Sequence, residues 1–124
     1  MYSILFVSAL LFFTSFAKEY QAVDELDLNK YVGKWYETYG NSFDKIFQGN
    51  GKCSTAKYEL LDNDKVSVLN KQLDKNDNLD EITGYAYYKE GDGGGYLTVS
   101  LQGTPEAPYG VLELGPAFEG YYDY

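Results

Sequence analysis

At 124 residues the chain has the size of one small domain of roughly 100–150 residues, and nothing in it suggests two. A formal net charge of −9 repels phosphate backbones and anionic headgroups, which argues against nucleic acid and membrane surfaces as partners. Ten lysines with no arginine and no histidine remove the usual general base, the imidazole metal ligand and the Ser-His and Cys-His nucleophile pairs, so the expectation is a non-enzymatic protein with no cofactor and no metal.

Met1 to Ala17 carry no charged side chain, and Ile4 to Phe13 form an apolar run of signal-peptide length that ends at the small residues Ser15 and Ala17. The run falls short of the ~20 apolar residues that span a bilayer. It predicts a cleaved signal peptide over residues 1–17 and a secreted domain over 18–124 with no stable membrane insertion; a buried core helix and a membrane anchor are the alternatives. Cys53 is the single cysteine of a chain that is then exported, so it is free, pairs between chains, or lacks its partner here.

Val23 to Val32 reads as a lead-in with a short helical turn, Asp27 capping Leu28-Asn29-Lys30-Tyr31 and Gly33 stopping it. Short β-like runs follow. Trp35 to Tyr39 is the first, followed by a loop through Gly51; Cys53 to Leu61 is the second and Val66 to Gln72 the third, with Asp62-Asn63-Asp64 as the turn between them. Asp74 to Asp80 is a solvated loop. Ile82 to Lys89 is the fourth strand, Gly91 to Gly95 a flexible turn and Tyr96 to Gln102 the fifth. Gly103 to Pro108 is a loop with two prolines, Tyr109 to Leu114 the sixth strand, and Tyr121 to Tyr124 the start of a seventh. Strands at roughly ten-residue spacing with short connections describe an antiparallel meander, which must close or pair with a second sheet to hide its edges.

The stretch Leu28-Asn29-Lys30-Tyr31-Val32-Gly33-Lys34-Trp35-Tyr36-Glu37 resembles the first signature of the lipocalin family, a turn of helix followed by G-x-W at the start of the first strand. Gly51 to Leu60, with Cys53 opening the strand, and Lys65 to Asn70 are similar to the next strands of the apolipoprotein D and bacterial-type lipocalins. Gly95 to Leu101 and Ala107 to Leu112 are similar to later ones, with Gly110 where these relatives often carry an aromatic. The resemblance implies an all-β, up-and-down antiparallel lipocalin (calycin) β-barrel, incomplete, with about six to seven of eight strands and lacking the C-terminal helix. It also implies that Gly33 and Trp35 form the motif that seals one barrel end, and that a disulfide partner for Cys53 lies near the family's C-terminus. The family's T-D-x-x-Y-like turn is replaced by Leu114-Gly115-Pro116, and the arginine that stacks over the motif tryptophan has no counterpart.

A barrel of this kind lines its site from alternate strand positions. The candidates are Tyr39 with Tyr36 or Glu37 on the first strand, the phase being open there; Ala56 and Tyr58; Val66, Val68 and Asn70; Tyr85 and Tyr87; and Leu97, Val99 and Leu101. Ordinary core packing is the alternative for each. The function implied is secreted carriage of a small hydrophobic ligand of fatty-acid, retinoid or pigment-like type. The competing readings are a lipocalin-fold isomerase or de-epoxidase using Cys53 or a cavity carboxylate, and a non-binding form that self-associates through open strand edges. Asp74-Lys75-Asn76-Asp77-Asn78 opens like a calcium loop, but Leu79 stands where the turn glycine belongs and Tyr85 where the bidentate glutamate belongs, which leaves a solvated loop.

Overall fold

Two aspartates set the local frame of the chain. In the computed structural model, which describes residues 20–40 and 51–124, Asp27 stands in extended geometry and accepts a hydrogen bond from the backbone N–H of Asn29 at 3.0 Å. That cap starts the single helical turn α1 (Leu28–Tyr31), and Gly33, at φ +116°, ends it by turning the chain directly into a strand. Asp74 plays the same part in the turn Asp74–Asn78, accepting from the backbone N–H groups of Asn76 at 2.7 Å and Asn78 at 2.9 Å. The calcium-like run is thus held by its own aspartate, whose carboxyl those donors keep below the ordinary value.

The strands are β1 (Gly33–Tyr36), β2 (Lys52–Leu60), β3 (Val66–Leu73), β4 (Leu79–Tyr87), β5 (Tyr96–Leu101) and β6 (Ala107–Gly110), all antiparallel and paired in chain order as one six-stranded sheet. Between β2 and β3 the turn Asp62–Asp64 places Asn63 and Asp64 in the left-handed region, which short polar side chains tolerate. The sheet is an all-β antiparallel meander that stays open: β1 and β6 are its two edges, and no described strand joins them.

Three expectations change at the far end, the first being that the sixth strand, expected over Tyr109 to Leu114, is Ala107–Gly110. Pro108, expected in a loop, lies within β6 opposite Thr98; β6 is an edge strand, where a missing N–H costs no ladder bond on the outer side. Tyr121–Tyr124 does not begin a seventh strand of the sheet. Ala117–Phe118 (β7) and Tyr121–Tyr122 (β8) instead form a separate two-stranded hairpin around Glu119-Gly120, both at positive φ. This hairpin folds back on α1, where the Tyr122 hydroxyl accepts from the Asp27 N–H at 3.2 Å.

The glycine run 91–95 is likewise more than a loose turn. Val23 lies between Gly95 and Val111: its N–H donates to the Val111 carbonyl at 2.9 Å, and its own carbonyl accepts from the Gly95 N–H at 2.8 Å. A side chain at 95 would meet the Val111 carbonyl at 2.6 Å and the Val23 methyl at 2.8 Å, so glycine is what admits the segment. Next to it the Tyr20 ring stacks on Tyr96 at 5.7 Å and fills the space over Gly110. A side chain at 110 would collide with that ring, so glycine there makes room for Tyr20. The predicted signal peptide, residues 1–17, lies outside the described residues.

Candidate ligand-binding face

Strand register sorts the side chains into two faces. Gly33 pairs with Tyr58, Tyr58 with Val68, Val68 with Gly84 and Gly84 with Leu101, so these five share one side. A second row on that side runs Trp35, Ala56, Asn70, Ile82, and a third Leu60, Val66, Ala86, Val99, Ala107. This side carries the core: Val66, Val68, Ala86, Leu97 and Val111 are buried together with Leu28 and Tyr31 of α1, and Trp35, Tyr58, Tyr88, Val99, Leu101 and Tyr109 pack against them half-buried. Of the candidate residues, Ala56, Tyr58, Val66, Val68, Asn70, Leu97, Val99 and Leu101 stand on this inward face, and the motif residues Gly33 and Trp35 stand with them.

The remaining candidates do not. Tyr39 lies beyond the end of β1 and is 90% exposed. The phase of the first strand resolves to Trp35 inward and Tyr36 outward. Tyr85 and Tyr87 point outward, opposite Ser67, Ser100 and Thr98. The Lys65 ammonium sits 4.1 Å over the Tyr85 ring, and the Tyr87 hydroxyl donates to Glu106. The reason is register: the Asp74 turn pairs Leu73 with Leu79, which brings the even-numbered positions of β4 inward. The alternation Ile82, Gly84, Ala86 was the available signal, obscured by the apolar weight of two tyrosines whose hydroxyls suit them to water. Small inward residues also let the sheet coil, since a side chain at 84 would meet the Leu101 Cα at 2.8 Å.

One end of this face is closed by aromatic rings. The Trp35 indole N–H donates to the carbonyl of Tyr31 at 2.8 Å, tying β1 to the last residue of α1. The Tyr31 ring lies 5.1 Å from Trp35 and stacks on Tyr58 at 5.4 Å and 12°. Tyr31 therefore packs against both the tryptophan and Tyr58. The Tyr109 hydroxyl is shared, 2.7 Å from that of Tyr31 and 3.2 Å from that of Tyr58. Burial pushes each of the three phenols well above the ordinary 10.0, and the charge of a neighbouring phenolate pushes the same way, while the hydrogen bonds from Tyr109 to Tyr31 and from Tyr58 to Tyr109 act in the opposite sense. Tyr31 and Tyr109 were not among the sequence candidates; Tyr31 lies inside the G-x-W stretch, but nothing in the spacing announced that its hydroxyl meets one 78 residues away.

Outside the sheet, Lys57, Glu59, Ser67, Leu69, Thr83 and Tyr85 line a solvent-open depression of about 220 Å³. Its rim is polar, with Lys57 and Glu59 paired at 2.5 Å. It lies on the opposite face from the core and is no extension of it. Cys53, at φ 57° where β2 bulges between Lys52 and Thr55, is exposed and free among the described residues.

Comparison with known proteins agrees with this architecture. The lipocalin-like domain matches residues 26–119. Apolipoprotein D of Cavia porcellus is 38% identical over 92 residues, covering 72% of this chain and 46% of that protein. Apolipoprotein D of Bos taurus is 37% identical with the same coverage. The outer membrane lipoprotein Blc of Vibrio cholerae is 36% identical over 93 residues, 74% of this chain and 53% of that protein. The chain spans about half the length of the curated relatives it matches. With a helical turn sealed by Trp35 leading into a coiled antiparallel meander, and with a family match across most of its length, the chain belongs to the lipocalin family.

Proposed function

We propose that the domain binds and carries a small hydrophobic molecule on the inward face of the sheet, as a secreted, non-enzymatic carrier. The observation that carries this reading is an inward face that is apolar yet only partly covered. Val66, Val68 and Leu97 are 2–4% exposed, but no large side chain among the described residues is fully buried, and Trp35, Tyr58, Val99 and Leu101 retain accessible surface. Apolar area of this kind gains roughly 25 cal/mol per Å² when a ligand removes it from water. The relatives' names, an apolipoprotein and an outer membrane lipoprotein, associate those proteins with lipid and support a lipid-like ligand here. Secretion rests on the apolar residues 1–17; no helix among the described residues is long and apolar enough to cross a membrane.

The test is uptake of a neutral naphthylamine fluorophore. Saturable binding with a blue-shifted, enhanced emission is expected, and Val68→Asp, which puts a carboxylate into the centre of the face, should weaken it by at least about tenfold. Emission that rises linearly without saturation would overturn the carrier reading.

A further inference from the structure

The row of inward side chains that starts at Trp35 contains one polar group besides the indole N–H of Trp35 itself. Asn70 of β3 stands between Ala56 of β2 and Ile82 of β4, with Trp35 one strand further on. None of these can accept or donate a hydrogen bond toward it through its side chain, apart from an indole N–H already committed to the Tyr31 carbonyl. The carboxamide oxygen of Asn70 is buried and has no hydrogen-bond partner among the described residues. A buried amide oxygen in that state has given up its water without compensation. Such an atom on a face built to be covered is a group waiting for its partner.

The charges around it narrow what that partner is. Lys18 and Lys45 lie outside the described residues. Of the other lysines, Lys30 pairs with Asp27, Lys52 with Asp77, Lys57 with Glu59, Lys71 with Glu81 and Lys89 with Glu106. Lys34 and Lys65 lie over the outward rings of Tyr36 and Tyr85, and Lys75 is exposed in the turn after β3. Among the described residues no cation faces the interior. The next row on that side beyond Asn70 ends at an exposed anion, Asp80, whose carboxylate accepts from Gln72 at 3.3 Å. A carboxylate ligand would shed its water on this face with no cation of the described residues to meet it.

We propose, building on the carrier reading above, that Asn70 determines specificity, and that the site takes a neutral apolar molecule bearing a hydroxyl, which hydrogen-bonds Asn70, in preference to a fatty-acid anion. A hydroxyl both donates and accepts, so it satisfies either end of the carboxamide; a carboxylate only accepts.

Competition against the naphthylamine fluorophore separates the possibilities, using dodecanol, dodecanoate and dodecane at about pH 8, where the acid is ionised. Dodecanol should displace the probe at a concentration at least about tenfold below that of dodecanoate, the size of one well-made hydrogen bond plus an unscreened charge. Lowering the pH toward the carboxyl range should strengthen dodecanoate by neutralising it. Asn70→Leu should collapse the preference for dodecanol over dodecane, and it removes an unsatisfied polar atom, so the variant should fold at least as well, as thermal unfolding would report. Dodecanoate binding as tightly as dodecanol at pH 8, or an unchanged alcohol preference in Asn70→Leu, overturns the assignment while leaving the carrier reading standing. Failure of the fluorophore itself to bind removes both.

Discussion

Tyr109 supports two other phenols at once, and that asymmetry gives its hydroxyl a larger share of stability than either neighbour's. Removing it in Tyr109→Phe strands the hydroxyls of Tyr31 and Tyr58, whereas Tyr58→Phe breaks one contact and leaves the Tyr31–Tyr109 pair intact. Tyr109→Phe should cost about 2 kcal/mol and Tyr58→Phe about 1 kcal/mol in urea unfolding. Equal costs would mean that the three hydroxyls are solvated independently. The same group makes the fold sensitive to base. Burial raises each folded-state value above the ordinary 10.0, so the unfolded chain loses its phenolic protons first. The contribution is fully present below pH 10.0 and is lost as the pH rises from there toward the raised values. Thermal midpoints followed upward from neutral pH should therefore fall beyond that point, and less steeply when all three tyrosines are phenylalanine.

At the scale of elements, the N-terminal segment behaves as part of the sheet's periphery. Ala22 donates to the Tyr96 hydroxyl at 3.0 Å, that hydroxyl donates back to the Tyr20 carbonyl at 3.0 Å, and Val23 bridges Gly95 and Val111. Gly95→Ala should expel the segment, cost about 1–3 kcal/mol, and speed amide exchange at Val23 and Val111 while leaving β2 and β3 protected. Uniform loss of protection would contradict a local role.

What the sequence made legible follows the same division. Asp27 as cap, Gly33 as stop, Asp62-Asn63-Asp64 as turn and the alternation of β2, β3 and β5 are local signals, and the structure has them where the residues say. The faces of β1 and β4 were not legible, because a one-residue choice of register inverts every side chain and is decided by the turn and the partner strand. The contacts of Tyr20, Tyr31 and Tyr122 were also hidden, each joining positions far apart in the chain. Of the candidate face, the rows on β2, β3 and β5 were readable, and its small-residue wall, Gly84 and Ala86, was not.

Over the whole molecule, charge and open edges oppose each other. β1 and β6 each present one unpaired side, a geometry that invites strand pairing between chains. A net charge of −9 repels such encounters. Salt screens that repulsion, the screening length falling from roughly 20 Å near 20 mM to about 4 Å near 500 mM. Sedimentation velocity should accordingly find a larger mean mass at high salt than at low salt at the same protein concentration. Mass independent of salt would show that the edges are already blocked.

The bridge at Val23 bears on when the protein can fold. Its neighbours Ala22 and Tyr96 are 74 residues apart, and Asp27 meets Tyr122 across 95. As the ribosome emits the chain, the earliest of these residues wait several seconds for their counterparts at roughly 5–20 residues per second. Meanwhile β2, β3 and β4 can already zip together with their core side uncovered. In that interval the nascent chain exposes apolar surface, and the docking of residues 20–23 is among the last contacts to form.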